Sequence, residues 1–192
     1  VQTCALPILV GAGGAAAGVL GPLLQAQPRS ITVCNRTAAK AQALVARHQA
    51  LAQQQNVQLL AQEQQALDRD FSVIINATAA SLSGGAVPVP EGSVRPGALV
   101  YDMMYGPAAE GFLDWAWQQG GIARDGLGML VEQAAAAFAL LKIFGIGAGH
   151  ARNQPLVKLF QAALQDFHAI MLLQHIIDVV AFFPVQHVNH AR

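Results

Sequence analysis

This sequence predicts an α/β fold: a doubly wound, mostly parallel sheet with helices on both faces. Two observations carry that expectation. Short aliphatic or β-branched runs alternate with longer Ala- and Leu-rich stretches, and strands alternating with helices imply a parallel sheet covered on both sides. The first apolar run also ends abruptly in Gly11-Ala12-Gly13-Gly14 before a helical stretch begins. Strand, tight turn and helix in that order open a right-handed βαβ unit.

The elements follow in order. Ala5 to Val10 reads as the first strand, and Ala15 to Ala26, closed by Pro28, as the first helix. Ser30 to Cys34 is rich in β-branched residues and gives the second strand. Asn35-Arg36-Thr37 then leads into a helix over Ala38 to Gln53, with Thr37 as its N-cap. Val57 to Leu60 is a weak third strand and Phe71 to Asn76 a strong fourth. Ala98 to Tyr101, after the turn formers Pro96-Gly97, is the fifth. A helix over Gly111 to Gln119, a short strand over Gly121 to Ala123 and a long apolar helix over Leu127 to Phe144 complete the pattern. The Gln-rich stretch at 53–55 marks a solvated helix end.

Composition bounds the function classes. The chain has 192 residues, 54% hydrophobic and only 11% charged, with formal net charge zero. That suits one packed α/β domain and argues against disorder. No clustered Lys and Arg footprint points to nucleic acid. Cys4 and Cys34 are too few for a disulfide framework or a metal site, and read as small buried residues. No secretory signal is recognisable, and the apolar segment His168 to Phe183 is broken by His175 and Asp178, short of a membrane span. A cytoplasmic protein with a small-molecule substrate is expected, with no nucleic-acid or membrane partner. The opening Val1-Gln2-Thr3-Cys4 lacks Met, so a start further upstream is expected.

The glycine turn sits where a phosphate cradle must sit. Gly11 permits the tight turn, and Gly13 lets the backbone approach a pyrophosphate without a Cβ in the way. The helix beginning near Gly14 and Ala15 offers unpaired N–H groups and a positive dipole end. Ala16 stands where a third glycine is common, and is small enough for close helix–sheet packing. A purely structural turn is the competing reading.

The end of the second strand discriminates between cofactors. A site for NAD places a carboxylate there, to accept from the ribose 2′-hydroxyl. Here the residues are Asn35, Arg36 and Thr37, with Lys40 one turn on. Cations and neutral hydrogen-bonding groups suit the 2′-phosphate of NADP. The competing reading is a solvated basic loop.

Five segments together resemble the shikimate dehydrogenase family. They are Gly11-Ala12-Gly13-Gly14-Ala15, Asn35-Arg36-Thr37, Asn76-Ala77-Thr78, Tyr101-Asp102-Met103-Met104-Tyr105, and the run from Asp125-Gly126-Leu127-Gly128-Met129 to Gln133-Ala134. They occur in the family's order between about Ile8 and about Leu164. The last is the most specific. The resemblance implies a Rossmann-like NADP-binding domain over residues 1–166 and an NADP-dependent reduction of 3-dehydroshikimate to shikimate, a step of chorismate and aromatic amino-acid biosynthesis. It implies that Gly11, Ala12, Gly13, Gly14 and Ala15 cradle the pyrophosphate, and that Asn35, Arg36, Thr37 and Lys40 hold the 2′-phosphate. Asn76 and Thr78 would flank the cofactor crevice, Met103 and Gly126 would line the nicotinamide end, and Tyr105 and Gln133 would reach the substrate.

The departures from the family are equally informative. Its catalytic lysine and partnering aspartate belong to an N-terminal substrate domain with no counterpart here, so no catalytic residue is assigned. The chain is expected to be the cofactor-binding half of a longer parent, one compatible with a homodimer. Asp102 and Asp125 lie inside second-domain motifs and do not replace the missing pair. Ala79-Ala80-Ser81 departs from the Ser usual after Asn-Ala-Thr. Residues 167–192 form an off-family tail, whose His168, His175, His187 and His190 do not have the spacing of a metal site. Rival readings are a quinate/shikimate dehydrogenase using NAD, a non-catalytic dinucleotide-binding module and, more remotely, a glutamyl-tRNA reductase domain. Arg36 argues against the first, and the Asp-Gly-Leu-Gly-Met run against the last.

Overall fold

The computed structural model describes residues 5–67, 71–80, 89–90 and 92–143. In chain order these form β1 (Pro7–Val10), α1 (Gly14–Gln25), β2 (Ser30–Asn35), α2 (Ala38–Gln54), β3 (Gln58–Glu63), β4 (Phe71–Asn76), β5 (Val94–Asp102), α3 (Glu110–Gln118), β6 (Ile122–Arg124) and α4 (Leu127–Ile143). The strands make one six-stranded sheet in the order β3-β2-β1-β4-β5-β6. Every pairing in it is parallel. This is the doubly wound architecture that the alternating runs predict.

Period-2 alternation explains why both faces are apolar. Leu9, Ile31, Val33, Val73, Ile75, Leu99 and Tyr101 face one cluster, packed with Leu20 and Leu24 of α1 and Leu44 of α2. Their neighbours Ile8, Val10, Ile74, Ala98 and Val100 face the other, with Phe112 and Ala116 of α3. A central strand such as Pro7–Val10 is therefore buried along its whole length. That is why it reads as an unbroken apolar run.

Two strands exceed their expected bounds by three residues or more. β5 begins at Val94 and runs through Pro96-Gly97, which do not form a preceding turn. Gly97 has φ +75° and donates its N–H to Gly120 O at 2.8 Å, while the pairing to β4 shifts between Phe71↔Val94 and Val73↔Leu99. The turn formers thus make an irregularity inside the strand. β3 pairs with β2 over six residues, from Ser30↔Gln58 to Asn35↔Glu63. As an edge strand it keeps polar side chains, which hid its length. Cys34 is fully buried, and burial pushes its thiol up to about 12.

Among the described residues no helix is long and apolar enough to cross a membrane. Cys4, Ser81, the boundary at residue 166 and the histidine-bearing tail lie outside the described residues.

Candidate functional site

The sheet order places a topological switch at β1. The chain leaves β1 towards β2 and β3, then crosses to β4 on the other side. Loops diverge there and leave a crevice beyond the strand ends, the common ligand position in open α/β sheets. Three backbone bonds pin the loop starts at that edge. Gly11 N donates to Cys34 O at 2.8 Å, Ala77 N to Val10 O at 2.8 Å, and Met103 N to Asn76 O at 3.0 Å. The expected glycine, asparagine and methionine positions therefore line up along one rim.

Two glycines of the first turn differ in what requires them. Gly11 has φ +113°, and a Cβ there would come within 3.0 Å of Ala77 O and 3.2 Å of Thr78 Cγ2. The fold itself demands it. Gly13 is different: its φ is −89°, and a Cβ would meet no protein atom within 4 Å. It faces open space just ahead of α1, whose first intrahelical bond runs from Ala17 N to Gly13 O at 3.0 Å. Gly14 and Ala15 are exposed beside it. A bare backbone at an exposed helix N-terminus fits a pyrophosphate.

At the end of β2, Asn35 is half-buried while Arg36, Thr37 and Lys40 are exposed. Asn35 Nδ2 donates to Thr37 O at 3.1 Å and sets the loop. Thr37 occupies the N-cap position as expected, yet its hydroxyl makes no capping bond. The first turn of α2 contains no acidic residue. Arg36, Lys40, the Thr37 hydroxyl and the N-terminus of α2 thus form one exposed, positive corner that suits a phosphate.

The β4 end is braced internally. Asn76 is fully buried, and its Oδ1 accepts from Thr78 N at 3.1 Å and Thr78 Oγ1 at 2.7 Å. Asn76 holds the shape of the rim and keeps Thr78 beside Gly11.

At the far end, Gly126 brings α4 against β5. A Cβ on Gly126 would fall within 2.8 Å of the Met103 carbonyl carbon, and Gly126 N donates to Met104 O at 2.8 Å. Two aspartates not assigned a site role brace this junction. Asp102, fully buried, accepts from Met104 N at 2.9 Å. Asp125 accepts from Leu127 N at 3.2 Å and from Gly106 N at 3.4 Å, tying the turn after Tyr105 to the start of α4. Tyr101 is buried beneath them. Desolvation, then Asp125 and Asp102, hold its hydroxyl well above the usual phenol range. Tyr105 is 44% exposed, and Gln133 is half-buried on α4.

Comparison with known proteins gives this geometry a family. Residues 3–83 match the model of the shikimate/quinate 5-dehydrogenases. This segment belongs to that family. A shikimate dehydrogenase (NADP(+)) of Acidovorax sp. strain JS42 is 68% identical over 133 residues, covering 69% of this chain and 47% of that protein. The chain therefore spans about half the length of the curated relatives it matches. An enzyme of Pseudomonas putida has a solved structure similar at TM-score 0.57 and 42% identity, over 70% of this chain and 48% of that one. The quinate dehydrogenase of Corynebacterium glutamicum, solved in complex with NAD, shares the fold at TM-score 0.61 and 21% identity, over 72% of this chain and 50% of its own. The Rossmann-like sheet of the shikimate/quinate dehydrogenases is thus present here from β1 to α4.

Proposed function

We propose that this chain is the cofactor-binding half of a cytoplasmic, NADP-dependent shikimate dehydrogenase, in a domain running to about residue 166. The observation that carries the cofactor is the positive corner after β2, where Arg36 and Lys40 stand exposed with no carboxylate in the Asn35–Lys40 stretch. The names of the relatives support both NADP and shikimate.

The residues present fit the cofactor. Gly13 leaves room for a pyrophosphate against the N-terminus of α1, and Asn35, Arg36, Thr37 and Lys40 would hold the 2′-phosphate. Met103 and Gly126 would bound the nicotinamide end, and Tyr105 and Gln133 would meet the substrate. When bound, the nicotinamide supplies hydride exchange with the substrate's C3 carbon. The chain's own contribution is to bind and orient. Proton transfer falls to a lysine–aspartate pair in the half of the family's length that this chain does not span. The chain alone is accordingly expected to show no turnover of shikimate with NADP.

The test is a parallel titration with NADPH and NADH, followed by nicotinamide fluorescence. NADPH is expected to bind more tightly, and Arg36→Ala to weaken NADPH by about tenfold through loss of a charge-assisted contact. Equal binding of the two nucleotides, unchanged by Arg36→Ala, would overturn the cofactor assignment.

A further inference from the structure

The positive corner has an acidic neighbour that the second-strand rule does not consider. Glu63 is the register partner of Asn35 on the adjacent parallel strand. Paired parallel strands lie about 4.8 Å apart, so its backbone is one strand spacing from the loop assigned to the 2′-phosphate. Glu63 also lines a cavity of about 60 Å³ with Ala38 and Gln42 of α2 and with Ala61 and Gln62. That places it against the first turns of the same helix whose N-terminus faces the phosphate. Arg36 and Lys40 are exposed, and neither forms an ion pair with Glu63 among the described residues.

We propose that Glu63 is a specificity-determining residue that limits affinity for the 2′-phosphate and so sets the ratio of NADP to NAD binding. This rests on the cofactor reading above and deepens it. A carboxylate beside a dianionic phosphate repels it, while a neutral 2′-hydroxyl meets no such penalty. At roughly 8 Å in solvent, screened over a Debye length, the repulsion amounts to about a twofold effect on affinity. The acid at the end of β3 therefore opposes the cations at the end of β2, and selectivity is their difference.

The experiment titrates the full chain, and its Glu63→Gln and Glu63→Asp variants, with NADPH and NADH at low and high salt. Glu63→Gln is expected to bind NADPH about twofold more tightly and NADH unchanged, with the gain shrinking as salt rises. Glu63→Asp, which keeps the charge, is expected to behave as the parent. An unchanged NADPH-to-NADH ratio in Glu63→Gln, or an equal gain on both nucleotides, would overturn the proposal. If the parent prefers NADPH and Arg36→Ala removes that preference while Glu63→Gln has no effect, only the role of Glu63 fails. A parent with no preference for NADPH would sink the cofactor reading first.

Discussion

Replacing Gly13 by alanine separates what the fold requires from what a ligand requires. Its φ of −89° is open to any L-residue, and the added Cβ meets nothing within 4 Å. Two small effects on the free protein then oppose each other. Alanine is a poorer N-cap residue than glycine, but it restricts the unfolded chain, and each effect is about 1 kcal/mol or less. The melting temperature should therefore stay within about 4 °C of the parent. Nucleotide binding should not survive so well. The methyl group stands where a pyrophosphate must approach, and one lost hydrogen bond to a charged group costs about 1.5–3 kcal/mol. That corresponds to roughly a tenfold to hundredfold weaker Kd for NADPH. Gly11→Ala is the comparator: φ +113° and a contact of 3.0 Å to Ala77 O should cost about 1–3 kcal/mol of stability before any ligand is added. Circular dichroism melts and fluorescence titrations of both variants check the pair. A Gly13→Ala protein that binds NADPH as tightly as the parent would refute the phosphate-cradle reading of this turn.

Two further outcomes follow from buried contacts. Gly126→Ala forces a methyl group to within 2.8 Å of the Met103 carbonyl carbon, and overpacking of backbone on backbone should destabilise by about 1–3 kcal/mol. A melt unchanged within error would show that α4 does not close on β5 as described. The Cys34 thiol, pushed up from its ordinary 9.0 to about 12 by burial, stays neutral in the folded protein where the unfolded chain ionises. A folded pKa raised above the unfolded one gives stability that is fully present below pH 9 and is lost as pH rises towards 12. Urea titrations of the parent and of Cys34→Ala between pH 8 and pH 10.5 should show the parent losing more stability on the alkaline side, and parallel losses would contradict this.

How much of this was legible in the sequence depends on what each element touches. The central strands β1 and β4 could be read almost residue by residue, because burial on both faces leaves mostly apolar side chains, with Ser72 and Asn76 the polar exceptions in β4. Edge strand β3 was read short at its end: pairing on one side only tolerates Gln62 and Glu63, which break any strand pattern. β5 was truncated for another reason. Pro96 and Gly97 are turn residues locally, and only their pairing across the sheet shows that the strand continues through them. The candidate residues recognised by local chemistry include those at the ends of β1, β2 and β4. The bracing by Asp102 and Asp125 was not legible, since both bond to backbone groups fixed only by the fold. Glu63 was missed because nothing in the chain order places it beside Asn35. The parallel register does.

The two ends of the crevice are built on different physical terms. The end proposed for the adenosine consists of exposed side chains, Arg36, Thr37 and Lys40, on a loop beside an edge strand. Its interactions are electrostatic, screened and individually modest. Substitutions there should change affinity and salt dependence while leaving the fold intact. The end proposed for the nicotinamide is held mainly by buried groups instead, Asp102 under Met104 and Gly126 against Met103, while the half-buried Asp125 ties Gly106 to Leu127 nearer the surface. Removing a buried acceptor leaves its backbone donors unsatisfied, so substitutions there should lower stability and displace Met103 together. Orientation at the reactive end needs such rigidity, because a misplacement of about 1 Å there can cost a hundredfold in rate. Cofactor choice needs only a difference of charge. On the proposed reading, that division is why the residues that would set selectivity lie on the surface of this domain, while Asp102 and Gly126, which would fix the reactive end, lie inside it.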